Sequence, residues 1–137
     1  MEDGRVVQLL LRDLDLTGAV PAEIGQLTSL ERLDLRGNQL TSLLAEIGQL
    51  TALTRLYLDD NELTSLPPEI GQLTSLTRLS LRCNRRLTSV PAEIGQLTWL
   101  KVLILDDNQL TSVPAAIREF RAAGCDLYLD DGVTFDE

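Results

Sequence analysis

Apolar positions along this chain follow two periods in turn. A Leu-x-Leu step recurs every 23 or 24 residues, at Leu9 and Leu11, Leu33 and Leu35, Leu56 and Leu58, Leu79 and Leu81, Leu103 and Leu105, and Leu127 and Leu129. Period two is the signature of a strand with one buried face. Each step therefore predicts a short strand whose leucines point inward and whose middle residue points the other way. Between the strands, Glu23-Ile24-Gly25-Gln26-Leu27, Glu46-Ile47-Gly48-Gln49-Leu50, Glu69-Ile70-Gly71-Gln72-Leu73 and Glu93-Ile94-Gly95-Gln96-Leu97 recur every 23 or 24 residues, with a degenerate fifth copy, Ala116-Ile117-Arg118-Glu119-Phe120. Their isoleucine and leucine stand three apart, a helical spacing. The glycine between them weakens any helix, so short segments of one or two turns, helical or 3₁₀, are expected. Pro21, Pro67, Pro91 and Pro114 stand just before these segments, where a fixed φ suits the first position of a helical turn. Glu23, Glu69 and Glu93 then fall near its positive end.

A fixed frame joins strand to turn. It reads Leu-x-x-Leu-x-Leu-x-x-Asn-x-Leu at Leu30, Leu33, Leu35, Asn38 and Leu40, and again at Leu53, Leu56, Leu58, Asn61 and Leu63. This frame resembles the leucine-rich repeat family, and the resemblance covers nearly the whole chain. It implies an α/β solenoid, a leucine-rich repeat horseshoe with a six-stranded parallel concave sheet and short helical or 3₁₀ convex segments. Asn38, Asn61, Asn84 and Asn108 are expected to stack as a ladder that satisfies backbone groups where the chain leaves the sheet.

One domain is expected over residues 1–137, with a short N-terminal segment (1–5), five repeats (6–120), and a last strand with C-terminal cap (121–137) that Phe135 closes. Three irregularities break the pattern. The first unit, Leu14-x-Leu16-Thr17-Gly18-Ala19-Val20-Pro21, is similar to the plant-type variant of the family; Leu44 replaces the proline of the second unit; and an extra Arg85 or Arg86 bulges the turn after Asn84. At the other end, Val6 to Leu11 forms an edge that the short acidic segment covers, that pairs with another copy, or that continues a larger protein.

A net charge of −9 and a pI near 4.4 work against nucleic acid or an anionic membrane as principal partner. No apolar run approaches the roughly 18 residues of a membrane span, and Met1 to Arg5 is not a signal peptide, so the chain reads as soluble. Cys83 and Cys125 lie two repeats apart. At ~4.8 Å per strand that is roughly 10 Å, beyond disulfide reach, and a reducing cytoplasmic setting is expected.

Comparing the repeats with one another separates scaffold from variable positions. The convex residues Ala22, Glu23 and Gln26 recur almost unchanged. The concave columns vary: Gln8, Arg32, Arg55, Arg78, Val102, Asp126; then Leu10, Asp34, Tyr57, Ser80, Ile104, Tyr128; then Arg12, Arg36, Asp59, Arg82, Asp106, Asp130. The first two thirds are rich in arginine and the last third is acidic. Arginine with tyrosine is enriched at the energetic centres of interfaces. Arg12, Arg32, Arg36, Arg55, Tyr57, Arg78, Arg82, Ile104, Asp106, Tyr128 and Asp130 are therefore the candidate partner-binding residues, with Tyr57, flanked by Arg55, Arg78 and Arg82, as anchor. The alternative is that they are solvated strand residues.

Catalysis has little support, because a chain without histidine lacks the commonest general base and metal ligand. Cys83 has arginines beside it that can lower a thiol pKa, but no positioned base. Asp106, Asp107, Asp130 and Asp131 call for a cation, a basic partner or hydration, and a flat strand surface rarely converges the six to eight oxygens that calcium takes. No cofactor and no metal are expected. Trp99 is lateral packing or an exposed contact. The reading is a non-enzymatic protein-interaction module that binds a protein or peptide on its concave face. The alternatives are a self-assembling unit that forms a weak homodimer through its N-terminal edge, and a recognition fragment of a larger protein.

Overall fold

The computed structural model describes residues 5–136. In chain order the strands are β1 (Gln8–Leu10), β2 (Thr17–Ala19), β3 (Arg32–Asp34), β4 (Gln39–Ser42), β5 (Arg55–Tyr57), β6 (Arg78–Ser80), β7 (Val102–Ile104), β8 (Ser112–Val113), β9 (Asp126–Tyr128) and β10 (Thr134–Phe135). The six strands built on Leu-x-Leu form one sheet in the order β1-β3-β5-β6-β7-β9, every pair parallel. Leu33, Leu56, Leu79 and Leu103 are fully buried, as alternation requires. The plant-type segment of the first unit forms β2, which pairs with β4 and slips register between Gly18 and Ala19.

Between strands the chain returns through 3₁₀ segments at Ala22–Gln26, Ala45–Gln49, Pro68–Gln72 and Ala92–Gln96. The prolines sit one position earlier than the sequence predicts. Pro21, Pro67 and Pro91 cap the segments, and their carbonyls accept the first turn hydrogen bonds, such as Ile24 N–H to Pro21 at 3.1 Å. Leu44 does the same at φ −90 and ψ 163, with Ile47 N–H donating at 3.1 Å.

The glycines of these segments serve more than helix weakening. A Cβ on Gly71 would stand 2.5 Å from the Glu93 carbonyl of the next repeat, and one on Gly25 would stand 2.9 Å from that of Glu46. Glycine lets successive turns stack backbone against backbone. The fifth copy carries Arg118 at the glycine position and forms a true α-helix, α1 (Ala116–Ala122), burying Ile117 and Phe120. Beyond it β10 pairs with β8, and Phe135 packs on the core beneath Arg118 and Arg121, at 5.2 and 5.5 Å from its ring centroid.

The asparagine ladder is present. Asn84 is fully buried; it donates to the Leu58 and Leu81 carbonyls at 3.0 and 2.9 Å and accepts Leu63 N–H at 3.2 Å. Asn61 repeats the pattern on Leu35, Leu58 and Leu40. Each such side chain ties two repeats, and every buried backbone group left unpaired would cost about 1–3 kcal/mol. The inserted arginine shifts one rung, so that Asn84 N–H itself donates to Asn108 Oδ1 at 2.7 Å.

At the N-terminal end β1 is an edge strand, and residues 1–4 of the short acidic segment, one of the three expected ways of covering it, lie outside the described residues. A cleft of about 380 Å³ opens there onto Leu9, Leu11, Leu16, Ile24 and Leu27.

Gly71→Ala should lower stability by about 1–3 kcal/mol, because a packed backbone must part to admit the methyl group. Leu44→Pro should raise it by about 0.4–1 kcal/mol by restricting the unfolded chain. Urea unfolding of both variants against the parent checks the two signs.

Candidate partner-binding face

Residues two apart on a strand share a face, so the three variable columns lie side by side on the concave sheet. The strand register places Arg32 against Arg55 and Arg55 against Arg78. It also places Asp34 against Tyr57, Tyr57 against Ser80, and Ile104 against Tyr128. The candidate residues on one face are thereby brought together, but they divide into groups that the sequence did not separate.

One group is internally paired. The Asp34 side chain is only 2% exposed, and Arg36 grips it with both arms, Nε to Oδ1 at 2.9 Å and Nη2 to Oδ2 at 2.7 Å, with its backbone N–H adding a third bond at 3.2 Å. Burial alone would raise the Asp34 pKa; the Arg36 hydrogen bonds outweigh it and hold the carboxyl below its usual value. Tyr57 lies beside this pair and is 8% exposed. Among the described residues, the guanidinium groups over its ring are those of Arg36 at 4.6 Å and Arg32 at 5.3 Å, which the columns alone did not single out. Asp59 accepts from Ser80 Oγ at 2.8 Å, while its other oxygen is buried without a hydrogen bond, and desolvation raises its pKa.

Arg82 turns toward the acidic end, its Nε at 3.2 Å from both Asp106 and Asp107. Asp130 accepts Asp107 N–H through both carboxylate oxygens at 3.0 Å. The acidic stack is therefore offset partly by an arginine and a backbone amide of this chain. A second group faces solvent. Arg12, Arg55 and Arg78 are exposed, Tyr128 is 52% exposed and Ile104 is half-buried beside it. Among the described residues, the side chains of Arg55 and Arg78 have no hydrogen bond, ion pair or ring contact, although their backbone N–H groups donate to the Glu31 and Thr54 carbonyls.

The Cys83 thiol differs from the activated cysteine that its arginine neighbours evoke. It occupies a left-handed turn position at φ 61, equivalent to Gly37, Asp60 and Asp107 in other repeats. Burial, then the Asp60 and Asp107 carboxylates, push its pKa up, and the thiol donates to Asp107 at 3.7 Å. Arg82, itself paired with Asp106 and Asp107, opposes this rise without cancelling it. Cys125 is buried, neither cysteine is in a disulfide, and Trp99 is exposed at 69%.

Sequence reasoning missed the clamp of Asp34 on Arg36. Opposite charges two apart in a strand were the available signal, since such residues project from the same face.

A family model described as a leucine-rich repeat region matches residues 5–106. The chain belongs to the leucine-rich repeat family. Among solved structures it is similar to a leucine-rich repeat protein of Leptospira interrogans, with 34% identity and a TM-score of 0.50, covering 90% of this chain and 42% of that one. It is also similar to the SOBIR1 receptor kinase ectodomain of Arabidopsis thaliana (26%, TM-score 0.80, 97% of this chain and 74% of that one). The BIR3–SERK2 complex of the same plant gives 28%, a TM-score of 0.77, and 97% and 72% coverage. No curated protein matches this chain. This leucine-rich repeat chain thus spans less than half of the Leptospira protein. Its fold is typical of protein–protein interaction modules and generally non-enzymatic.

Cys83→Gly should gain up to about 1 kcal/mol by relieving a left-handed side chain, read as a higher urea midpoint. Both thiols should react with a disulfide reagent more slowly than free cysteine at neutral pH, accelerating only above the usual thiol range.

Proposed function

We propose that this chain is a protein-interaction module that binds a segment of a partner protein on its concave face. The observation that carries the reading is the division of the variable face: a pre-ordered centre, where Asp34 and Tyr57 hold Arg36 and Arg32 in place, flanked by the open arginines Arg55 and Arg78 and the exposed Tyr128. Held side chains lose less entropy on binding than mobile ones. In this reading Tyr57 acts as the platform for two guanidinium groups, and they, not the phenol ring, meet the partner. The similarity to a structure that is itself a complex supports the reading at the level of the fold.

Six strands at ~4.8 Å spacing span only roughly 24 Å, so the sheet alone offers less than the ~800 Å² per partner of a stable complex. The turns beside it add contact. A polar cleft of about 430 Å³ lies between Gln39, Asp60, Glu62, Cys83, Arg85 and Arg86. We also place the chain in a reducing, cytoplasmic compartment, a reading supported by its two unpaired cysteines.

The test is affinity capture with the parent chain and with Arg55→Glu, Arg78→Glu, Tyr128→Ala. Tyr57 is left intact because it is buried. Partners held by the parent and lost by the folded variant are expected; retention of the same partners overturns the concave-face assignment.

The exposed Leu10 and Leu14, with the apolar cleft behind them, favour a second reading, self-association through the β1 edge. The Val7 carbonyl accepts from Glu31 and Arg32 inside the sheet, so alternation turns the Gln8 N–H to the free edge. Gln8→Pro should therefore convert a dimer to a monomer in sedimentation if the edge pairs, and a monomeric parent chain rules this reading out.

A further inference from the structure

We propose that Arg32, Arg55 and Arg78 form a carboxylate-binding track for the acidic half of a charge-polarised helical segment, an assignment that rests on the concave face being the working surface. The three arginines stand in register on adjacent strands, ~4.8 Å apart. Like charges directly opposite one another destabilise a sheet, and among the described residues no ion pair neutralises them. Asp34 is held by Arg36, Asp59 accepts from Ser80, and Asp106 and Asp107 are held by Arg82.

Arg32 adds a second observation. Its Nε is buried and has no hydrogen-bond acceptor, although its guanidinium lies over Tyr57. A donor left that way is costly, and a side-chain movement that brings it to a partner's carboxylate relieves the cost. Arg32 and Arg55 also line a cleft of about 230 Å³ with Val7, Gln8, Glu31 and Thr54. Among the described residues Glu31 is its one acidic side chain, outnumbered by the two guanidinium groups.

The geometry selects the partner. Steps of ~4.8 Å between arginines match the roughly 5–6 Å between Cβ atoms at i, i+3 and i+4 of a helix. Alternate side chains of an extended chain stand about 6.8 Å apart and fit less well. The charge of the face then reverses along the same concave columns, because Asp106, Asp126 and Asp130 follow beyond β6. A uniformly anionic polymer crossing the face would be repelled there. A protein helix with acidic residues toward the β3 side and basic residues toward the β9 side meets both halves.

The probe is an Ala-rich helical peptide of roughly 20 residues with glutamates on one face of its first half and lysines on the same face of its second. Its controls are the same peptide with glutamine in place of glutamate, a DNA duplex, and vesicles containing phosphatidylserine. Binding is read by fluorescence anisotropy at low ionic strength, where surface charge is weakly screened. The glutamate peptide should bind the full chain at least about tenfold tighter than the glutamine peptide, equal to ~1.4 kcal/mol. Arg55→Glu with Arg78→Glu should erase that difference without changing the unfolding midpoint. Equal binding of the two peptides, an undiminished difference in the variant, or tighter binding of DNA or vesicles would each overturn the track. Loss of captured partners in the concave variant without any binding of the glutamate peptide overturns the track alone and leaves the concave-face reading standing.

Discussion

The buried asparagine side chains that bridge consecutive repeats are the constraint on which the rest of this structure depends. Each strand ends by turning out of the sheet, which strips backbone carbonyls and amides of ladder partners while leaving them inside the molecule. Asn38 and Asn61 supply the missing donors and acceptors on both sides of a repeat boundary, and Asn84 does so while fully buried. On the opposite side, Gly25, Gly48 and Gly71 let the 3₁₀ turns approach until backbone meets backbone. The two features act together, one pinning the inner edge of each repeat and the other permitting the outer edge to close. Strand spacing and register follow, and the concave columns exist only because that register is held.

Held register turns a list of charges into a circuit. Arg36 and Arg82 are spent on carboxylates of this chain, and Arg32 shares the Tyr57 ring. What is left over is a short positive row at one end and a partly offset acidic stack at the other. A solenoid can carry such a polarised face at little cost to its stability, since its core of leucine and isoleucine is built from other positions.

The repeat boundaries, the inward leucines and the asparagine ladder were legible from periodicity, because each is a local rule repeated in every unit. The asymmetry of the ends was legible in part: Phe135 packs onto the last repeat as expected, whereas α1 becomes a full helix because Arg118 replaces the glycine of the other copies. The site was less legible. Arg32, Arg55 and Arg78 could be aligned by counting, but which arginines find an internal carboxylate depends on side-chain reach across strands. Cys83 shows the limit plainly. Three arginines surround it in the chain, yet burial and then the aspartates of neighbouring repeats raise its pKa.

The sequence by itself determined the solenoid, the six strands of its concave sheet, the face that each of their residues joins, and the family to which the chain belongs. These follow from spacing along one dimension, with periods of two within strands and of 23 or 24 between repeats. Only the tertiary structure decided which charges neutralise one another, that Tyr57 lies beneath two guanidinium groups rather than open to solvent, and that the glycines serve stacking between turns. The physical reason is the same in each case. These outcomes depend on distances of a few ångströms between residues some twenty positions apart, and such distances exist only once the repeats have stacked.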